Sequence, residues 1–242
     1  MNDILNNTLV LICAKGNSKG VKNKNIIKLR NKTLIEIAYD KAVLNNFRYF
    51  CLSTNSKKIK KISNSFGLKS FFLRSKNLCK ENSAKFMVWK DALTRSEIFY
   101  NRKFKYILDI EVTNPIANHK DLSFFVKKFK KNINLKFDGL FCICRSKKNP
   151  YFNIMKKTDR GYKIFSNINS RMKIFSRQRA PITYDHVAAF YMLKRDYLLK
   201  KKSLFAGNLD GYELEDYKSI DIDSKFDLDI VKLIFNKMNK YV

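Results

Sequence analysis

Short apolar runs alternate with longer stretches of mixed polarity through the first 145 residues. Thr8–Ala14 (TLVLICA), Tyr49–Thr54 (YFCLST), Leu68–Arg74 (LKSFFLR), Phe104–Ile110 (FKYILDI) and Gly139–Ser146 (GLFCICRS) are apolar on both faces of an extended chain. Runs of that kind predict strands buried on both sides. Helical spacing fills the gaps between them. It runs over the 14 residues from Thr33 (TLIEIAYDKAVLNN), over Ser56–Gly67, Ser83–Phe99 and His119–Lys131. Thr33 with Glu36 three residues on predicts a capping box, and Gly67 a stop. Strands separated by helices imply a parallel sheet covered on both faces.

The rhythm breaks from Asn149 to about Tyr184. Asn149–Phe165 predicts a pair of short strands turning at Asp159–Gly161. The pattern then resumes with a strand at Val187–Arg195, a short helix at Arg195–Lys202 and a strand at Tyr217–Asp223. A closing helix from Ser224 to Tyr241 has Ser224 as its cap and Asp227 and Asp229 on its solvated side. The 242 residues therefore predict one α/β domain spanning 1–242, with an excursion inserted at about 149–184.

Composition narrows the class. A 45% hydrophobic chain with 20 Phe and 12 Tyr can build a large core, and three prolines and seven glycines argue against disorder and fibrous repeats. The net charge of +29 favours anionic partners. The lysines are spread over the whole length among many Asn, Ile and Phe. That favours a compositional bias with a basic cleft for a small polyanion over a nucleic-acid partner. Cys13, Cys51, Cys79, Cys142 and Cys144 form no C-x-x-C pair, so they read as reduced thiols. The apolar run Leu9–Ala14 is too short for a signal or a membrane span, and a cytoplasmic protein is expected. With only His119 and His186 in the chain, a Ser-His-Asp hydrolase or a multi-histidine metal site is poorly supported. Both histidines read as structural.

The first chemistry-bearing stretch is Ile12–Asn25 (ICAKGNSKGVKNKN), which leaves the carboxyl end of the first strand. Ligands sit at that end in open α/β sheets. Gly16 and Gly20 allow close backbone approach, and Lys15, Lys19, Lys22 and Lys24 supply charge, so the loop suits a phosphate. It matches neither G-x-x-x-x-G-K-[ST] nor G-x-G-x-x-G. Asp221 and Asp223, one residue apart on a strand, would point the same way and suit Mg²⁺ with phosphate oxygens and water.

This loop resembles the signature loop of the acylneuraminate cytidylyltransferases, in which an apolar strand runs into A-R-x-x-S-K-G and then K-N. Ala14, Ser18, Lys19, Gly20, Lys24 and Asn25 fit it, and Lys15 replaces the usual Arg. The resemblance continues in order through CLSTNSKKI, FFLRSKNLCKENSAK, LDIEVTNP, SRQRAPITYD and SIDIDSKFDLDIV. Asn55, Ala117 and Val187 depart from the family pattern.

The resemblance implies a Rossmann-like nucleotidyltransferase fold, three layers around a mostly parallel sheet, with the 149–184 excursion serving dimerisation. It implies transfer of CMP from CTP to a nonulosonic acid, with release of pyrophosphate and Mg²⁺ as cofactor. On the nucleotide it places Ala14, Lys15, Gly16, Asn17, Ser18, Lys24, Asn25 and Arg74. The metal falls to Asp221 and Asp223, with Lys15 and Lys24 as catalytic cations and Asp223 as a candidate base. The sugar falls to Lys85, Asp109, Glu111, Thr113, Asn114 and Tyr184, with Arg177 and Gln178 reaching its carboxylate, in trans if the homodimer forms. Glu111 where sialic acid enzymes carry Gln, together with Lys85 and Asn149–Ile154, leans towards the legionaminic-type bacterial branch. Two other readings are a 3-deoxy-manno-octulosonate cytidylyltransferase, against which LDIEVTNP argues, and an inactive basic nucleic-acid-binding protein on the same fold.

Overall fold

The computed structural model describes residues 2–17, 20–80, 83–165 and 176–238. After a short helix α1 (Asn2–Asn6), the chain runs through β1 (Thr8–Cys13), a small hairpin of β2 (Lys28–Leu29) and β3 (Lys32–Thr33), α2 (Leu34–Val43), β4 (Tyr49–Ser53) and α3 (Lys57–Asn64). Then come α4 (Lys85–Phe99), β5 (Tyr106–Ile110), α5 (His119–Asn132), β6 (Gly139–Arg145), the hairpin β7 (Met155–Thr158) and β8 (Gly161–Ile164), and β9 (Tyr184–Lys194). The chain closes with α6 (Arg195–Lys200), β10 (Leu209–Glu213) and α7 (Lys225–Met238).

Six strands form one sheet in the order β10-β6-β9-β5-β1-β4. Five run parallel, and β9 is antiparallel to both its neighbours, β5 and β6. The expected mostly parallel sheet is therefore present, with one reversed strand in its middle. Period-2 alternation assigns the two faces. Val10 and Ile12 of β1 pack with α2, α5 and α7, whereas Leu9 and Leu11 pack with Phe86, Trp89 and Leu93 of α4 and Leu198 of α6. These are the three predicted layers.

Local signals behave as their chemistry requires. Thr33 accepts the N–H of Glu36, whose carboxylate accepts the N–H of Thr33. Gly67 ends the turn after α3 with φ at +93°, in the left-handed region that favours glycine. Ser224 and Asp227 form the same reciprocal cap before α7, so Asp227 is a capping residue and not merely a solvated acid. The five cysteines are free thiols. Among the described residues no helix is long and apolar enough to cross a membrane.

Two expected strands are not strands. Leu68–Arg74 crosses the end of β4 without entering a ladder. Arg74 N–H donates to the Thr54 carbonyl, and the Ser70 hydroxyl donates to the carbonyls of Leu52 and Phe72. In Tyr217–Asp223 the first residues form a 3₁₀ turn (Asp216–Ser219) and the rest is irregular, tied to the strand β5 side by the Ile222 N–H on the Thr113 carbonyl at 3.0 Å. The strand that does join the edge is β10, whose polar LDGYE carries no strand pattern.

Candidate active site

The carboxyl ends of β1, β4 and β5 open on one edge of the sheet, and the excursion leaves the end of β6 and returns to the start of β9 at that edge. Beyond β1, buried Ala14 is tied back by its N–H to the Ser53 carbonyl. Gly16 donates its N–H to Asn55 Oδ1 at 2.8 Å. Asn25 is buried, and its Nδ2 donates to the Lys15 carbonyl at 2.8 Å. Asn25 therefore staples the loop, and its amide nitrogen is not presented to a ligand as expected. Asn17 is exposed and Lys15 half-buried. Ser18 lies outside the described residues.

The loop closes on the acidic segment. Lys24 Nζ donates to the Ile222 carbonyl at 2.7 Å and to Asp223 Oδ1 at 3.0 Å. A Cβ on Gly20 would collide with the Asp223 carbonyl, so only glycine permits this approach. Asp223 is open to solvent; Asp221 is largely enclosed. Burial pushes the Asp221 carboxyl above its ordinary range, and Asp223 adds to the rise. The Thr113 hydroxyl, Lys24 and Lys85 oppose it. Lys24 on the Ile222 carbonyl and the Ile222 N–H on the Thr113 carbonyl bring the cationic loop, the acidic segment and the end of β5 together.

Beyond β5, Lys85 at the start of α4 ion-pairs with Asp109 Oδ2 at 2.6 Å and with Glu111. Its ammonium lies 5.3 Å from the Trp89 ring centroid and 5.0 Å from that of Tyr191. A cavity of about 270 Å³ adjoins it, lined by Lys85, Trp89, His186, Tyr191, Ser203 and Leu204 among others. Burial and then Lys85 hold the His186 imidazole below its usual value. Asp109 is fully buried, so it anchors Lys85 from beneath and does not face a ligand. Arg74 is fixed at the end of β4 by Nε on Ser53 Oγ at 3.0 Å and Nη2 on the Ser53 carbonyl at 2.7 Å.

Asn114 is not brought to the cleft. It is fully buried, with Nδ2 on the Lys218 carbonyl at 2.9 Å and Oδ1 accepting from Ala117 N–H at 3.1 Å. Tyr184 and Gln178 are exposed on the excursion side. Arg177 lies in a 3₁₀ turn (Arg177–Arg179), and its side chain lies outside what the structure describes. Sequence reasoning missed the supports: Ser53 under Arg74, Asn55 under Gly16, and the Trp89–Tyr191 shelf under Lys85. Ser53 and Asn55 stand in the CLSTNSKKI segment, but what each supports is set by a tertiary contact that the segment does not announce. The departure at Asn55 has a local reason: its Oδ1 accepts from Gly16 as a carboxylate oxygen would.

Among the described residues no group of three or more His, Cys, Asp or Glu side chains could hold a metal. A shared site is different. Asp221 Oδ1 is buried with no hydrogen-bond partner, and Asp223 stands two residues away. Two carboxylate donors suit Mg²⁺ when substrate phosphate and water complete the shell, so these residues fit the group.

The family model described as Cytidylyltransferase matches residues 9–237. A "Post-translational flagellin modification protein B" of Campylobacter coli is 33% identical over 232 residues, 96% of each chain. A "CMP-N,N'-diacetyllegionaminic acid synthase" of Campylobacter jejuni is 32% identical over 233 residues, again 96% of each. A solved CMP:2-keto-3-deoxy-manno-octonic acid synthetase complexed with CTP superposes with a TM-score of 0.68 at 12% identity, covering 96% of this chain and 99% of that one. It speaks for the fold alone. With the match running through the cationic loop, the acidic pair and every strand of the sheet, the chain belongs to the cytidylyltransferase family.

Proposed function

We propose that the protein transfers CMP from CTP to a nonulosonic acid of the legionaminic type and releases pyrophosphate. The observation that carries this is Lys24, which joins the phosphate loop to Asp223 at 3.0 Å while acting electrostatically on Asp221. The reactants are a triphosphate and a sugar carboxylate, which repel each other. Positioning and charge neutralisation are then the main tasks. Lys15, Lys24 and the backbone around Gly16 and Asn17 receive the triphosphate, and Arg74 faces the base. Lys85, Glu111 and Thr113 hold the sugar. The anomeric hydroxyl oxygen bonds to the α-phosphorus, the bond from that phosphorus to the β-phosphate bridging oxygen breaks, and pyrophosphate carries away the electron pair. The hydroxyl proton passes to Asp223, the solvent-open member of the pair.

Mg²⁺ is assigned to Asp221 and Asp223, where it would polarise the α-phosphate and acidify the hydroxyl. Asp221 can hold it because its Oδ1 is buried and has no hydrogen-bond partner within the chain. The excursion is assigned to a homodimer. Met155, Tyr162, Phe165, Ile182 and Tyr184 are exposed apolar or aromatic groups on or beside it, and Arg177 and Gln178 would reach the partner's sugar carboxylate. The legionaminic assignment rests on the 32% identical relative and on Glu111, which accepts hydrogen bonds from donors on the sugar but donates none while ionised.

Incubation with Mg²⁺, CTP and a panel of nonulosonic acids, followed by pyrophosphate release, tests this. N,N'-diacetyllegionaminic acid is expected to support the fastest release. Release with no acid on the panel, coupled with salt-sensitive RNA or DNA binding and no CTP binding, would replace the proposal with the nucleic-acid reading.

A further inference from the structure

Lys41 takes no part in the chemistry above, yet its side-chain amine is buried. It stands on α2, 4% exposed inside the larger core, with Nζ donating to the Asn114 carbonyl at 2.7 Å. The ring of Phe190 lies 5.6 Å away. A methionine would fill this space without the desolvation cost of a charge. Burying this amine therefore costs stability, and what it holds in return is Asn114.

Asn114 is a junction of three elements. Its carbonyl takes Lys41 of α2, its Oδ1 takes the Ala117 N–H ahead of α5, and its Nδ2 donates to the Lys218 carbonyl. Lys218 is anchored in turn by Asp121 Oδ1 at 2.8 Å and Glu215 Oε2 at 2.8 Å. Immediately before the junction, the Thr113 carbonyl accepts the Ile222 N–H at 3.0 Å. The irregular 218–223 segment has no ladder of its own, so these bonds set how far Asp221 stands from the end of β5.

We propose that Lys41 is a positioning residue for the acidic pair: acting through Asn114, it fixes the 218–223 segment so that Asp221 and Asp223 meet a divalent cation together with the nucleotide phosphates. This rests on the function proposed above and adds to it a residue about one helix away from any substrate. Outer supports of metal ligands typically matter by about 10–100-fold in affinity or rate.

The test uses Lys41→Met in the full chain and measures Mn²⁺ binding in the presence of CTP by the free-Mn²⁺ electron paramagnetic resonance signal, beside steady-state kinetics. The expected result is unchanged or raised thermal stability and Mn²⁺ affinity down by about tenfold. kcat should fall by a similar factor while KM for CTP changes less than about twofold. A merely structural lysine would lower stability and leave Mn²⁺ affinity alone, and that result overturns the proposal. Should Lys41→Met not fold, Asn114→Asp decides: it keeps the acceptor for Ala117 and removes the donor to Lys218, and the same weakening is expected. Wild-type protein that neither binds Mn²⁺ with CTP nor releases pyrophosphate would sink the functional reading itself. Wild-type protein that does both, with unaltered variants, sinks the role of Lys41 alone.

Discussion

Two carboxylates at opposite edges of the sheet, Glu97 and Asp221, show how differently one fold treats its buried acids. Glu97 lies where β5 begins. Arg195 meets it with Nε at 2.7 Å and Nη2 at 3.0 Å, Lys103 pairs at 3.1 Å and the Phe104 N–H donates at 3.1 Å. Burial alone would raise its pKa, but these four donors hold it below the ordinary value. Asp221 lies beyond the end of β5. There burial wins, the carboxyl is pushed up, and Oδ1 has no partner. An acid that only holds elements together is satisfied by the chain itself. Asp221, to which the proposed function gives a role, is left short of partners, at a cost in stability.

The sharpest way to break that contrast is Asp221→Asn. Turnover should fall by about a thousandfold, while the thermal midpoint rises, because at neutral pH the substitution removes a poorly compensated buried charge. A fall in both would place Asp221 with Glu97 as a structural acid. Lys24→Ala comes next. It should cut kcat/KM for CTP by about a hundredfold, and full activity would detach the loop from the acidic pair. Glu97→Gln should do the opposite of Asp221→Asn: unfolding free energy lower by about 2 kcal/mol, read by denaturant titration, with kcat per folded molecule unchanged.

The gentlest probe is pH. Burial pulls Lys41 down from 10.5 to about 7, despite Asp121 and Cys142 raising it. Between those values the unfolded chain binds more protons at this residue than the folded one, so its contribution to stability rises with pH. The stability of wild type relative to Lys41→Met should increase from pH 7.5 to 9 by at most about 1.4 kcal/mol per unit. A flat difference would mean that Lys41 titrates normally.

Much of this was legible in residue order. Thr33 with Glu36 fixed the start of α2 by a reciprocal pair of hydrogen bonds, and the Lys-rich bend after β1 stood out by its charge and its glycines. In Leu68–Arg74 apolar spacing reports burial and not pairing: the Arg74 N–H goes to Thr54, the Leu68 N–H to Ser63, and the Phe72 carbonyl to the Ser70 hydroxyl of the same segment. The strand β10 was missed for the converse reason, since LDGYE pairs at an edge with polar residues and a glycine whose Cβ would run into Ile143. Asn114 was assigned to the sugar because it follows β5, where ligands gather. Its neighbours in space, Lys41 and Lys218, lie 73 and 104 residues away in the chain.

Residue order was enough for what depends on neighbours within one turn or one strand: caps, the two-faced strands and the three layers. Only the tertiary structure decided that β9 runs backwards through the sheet, that Lys24 spans 199 residues to Asp223, and that one acid is satisfied while another waits. Those outcomes depend on contacts between residues remote in the chain: backbone pairing for β9, and the cost of burying charge for the two acids, neither of which a linear pattern records.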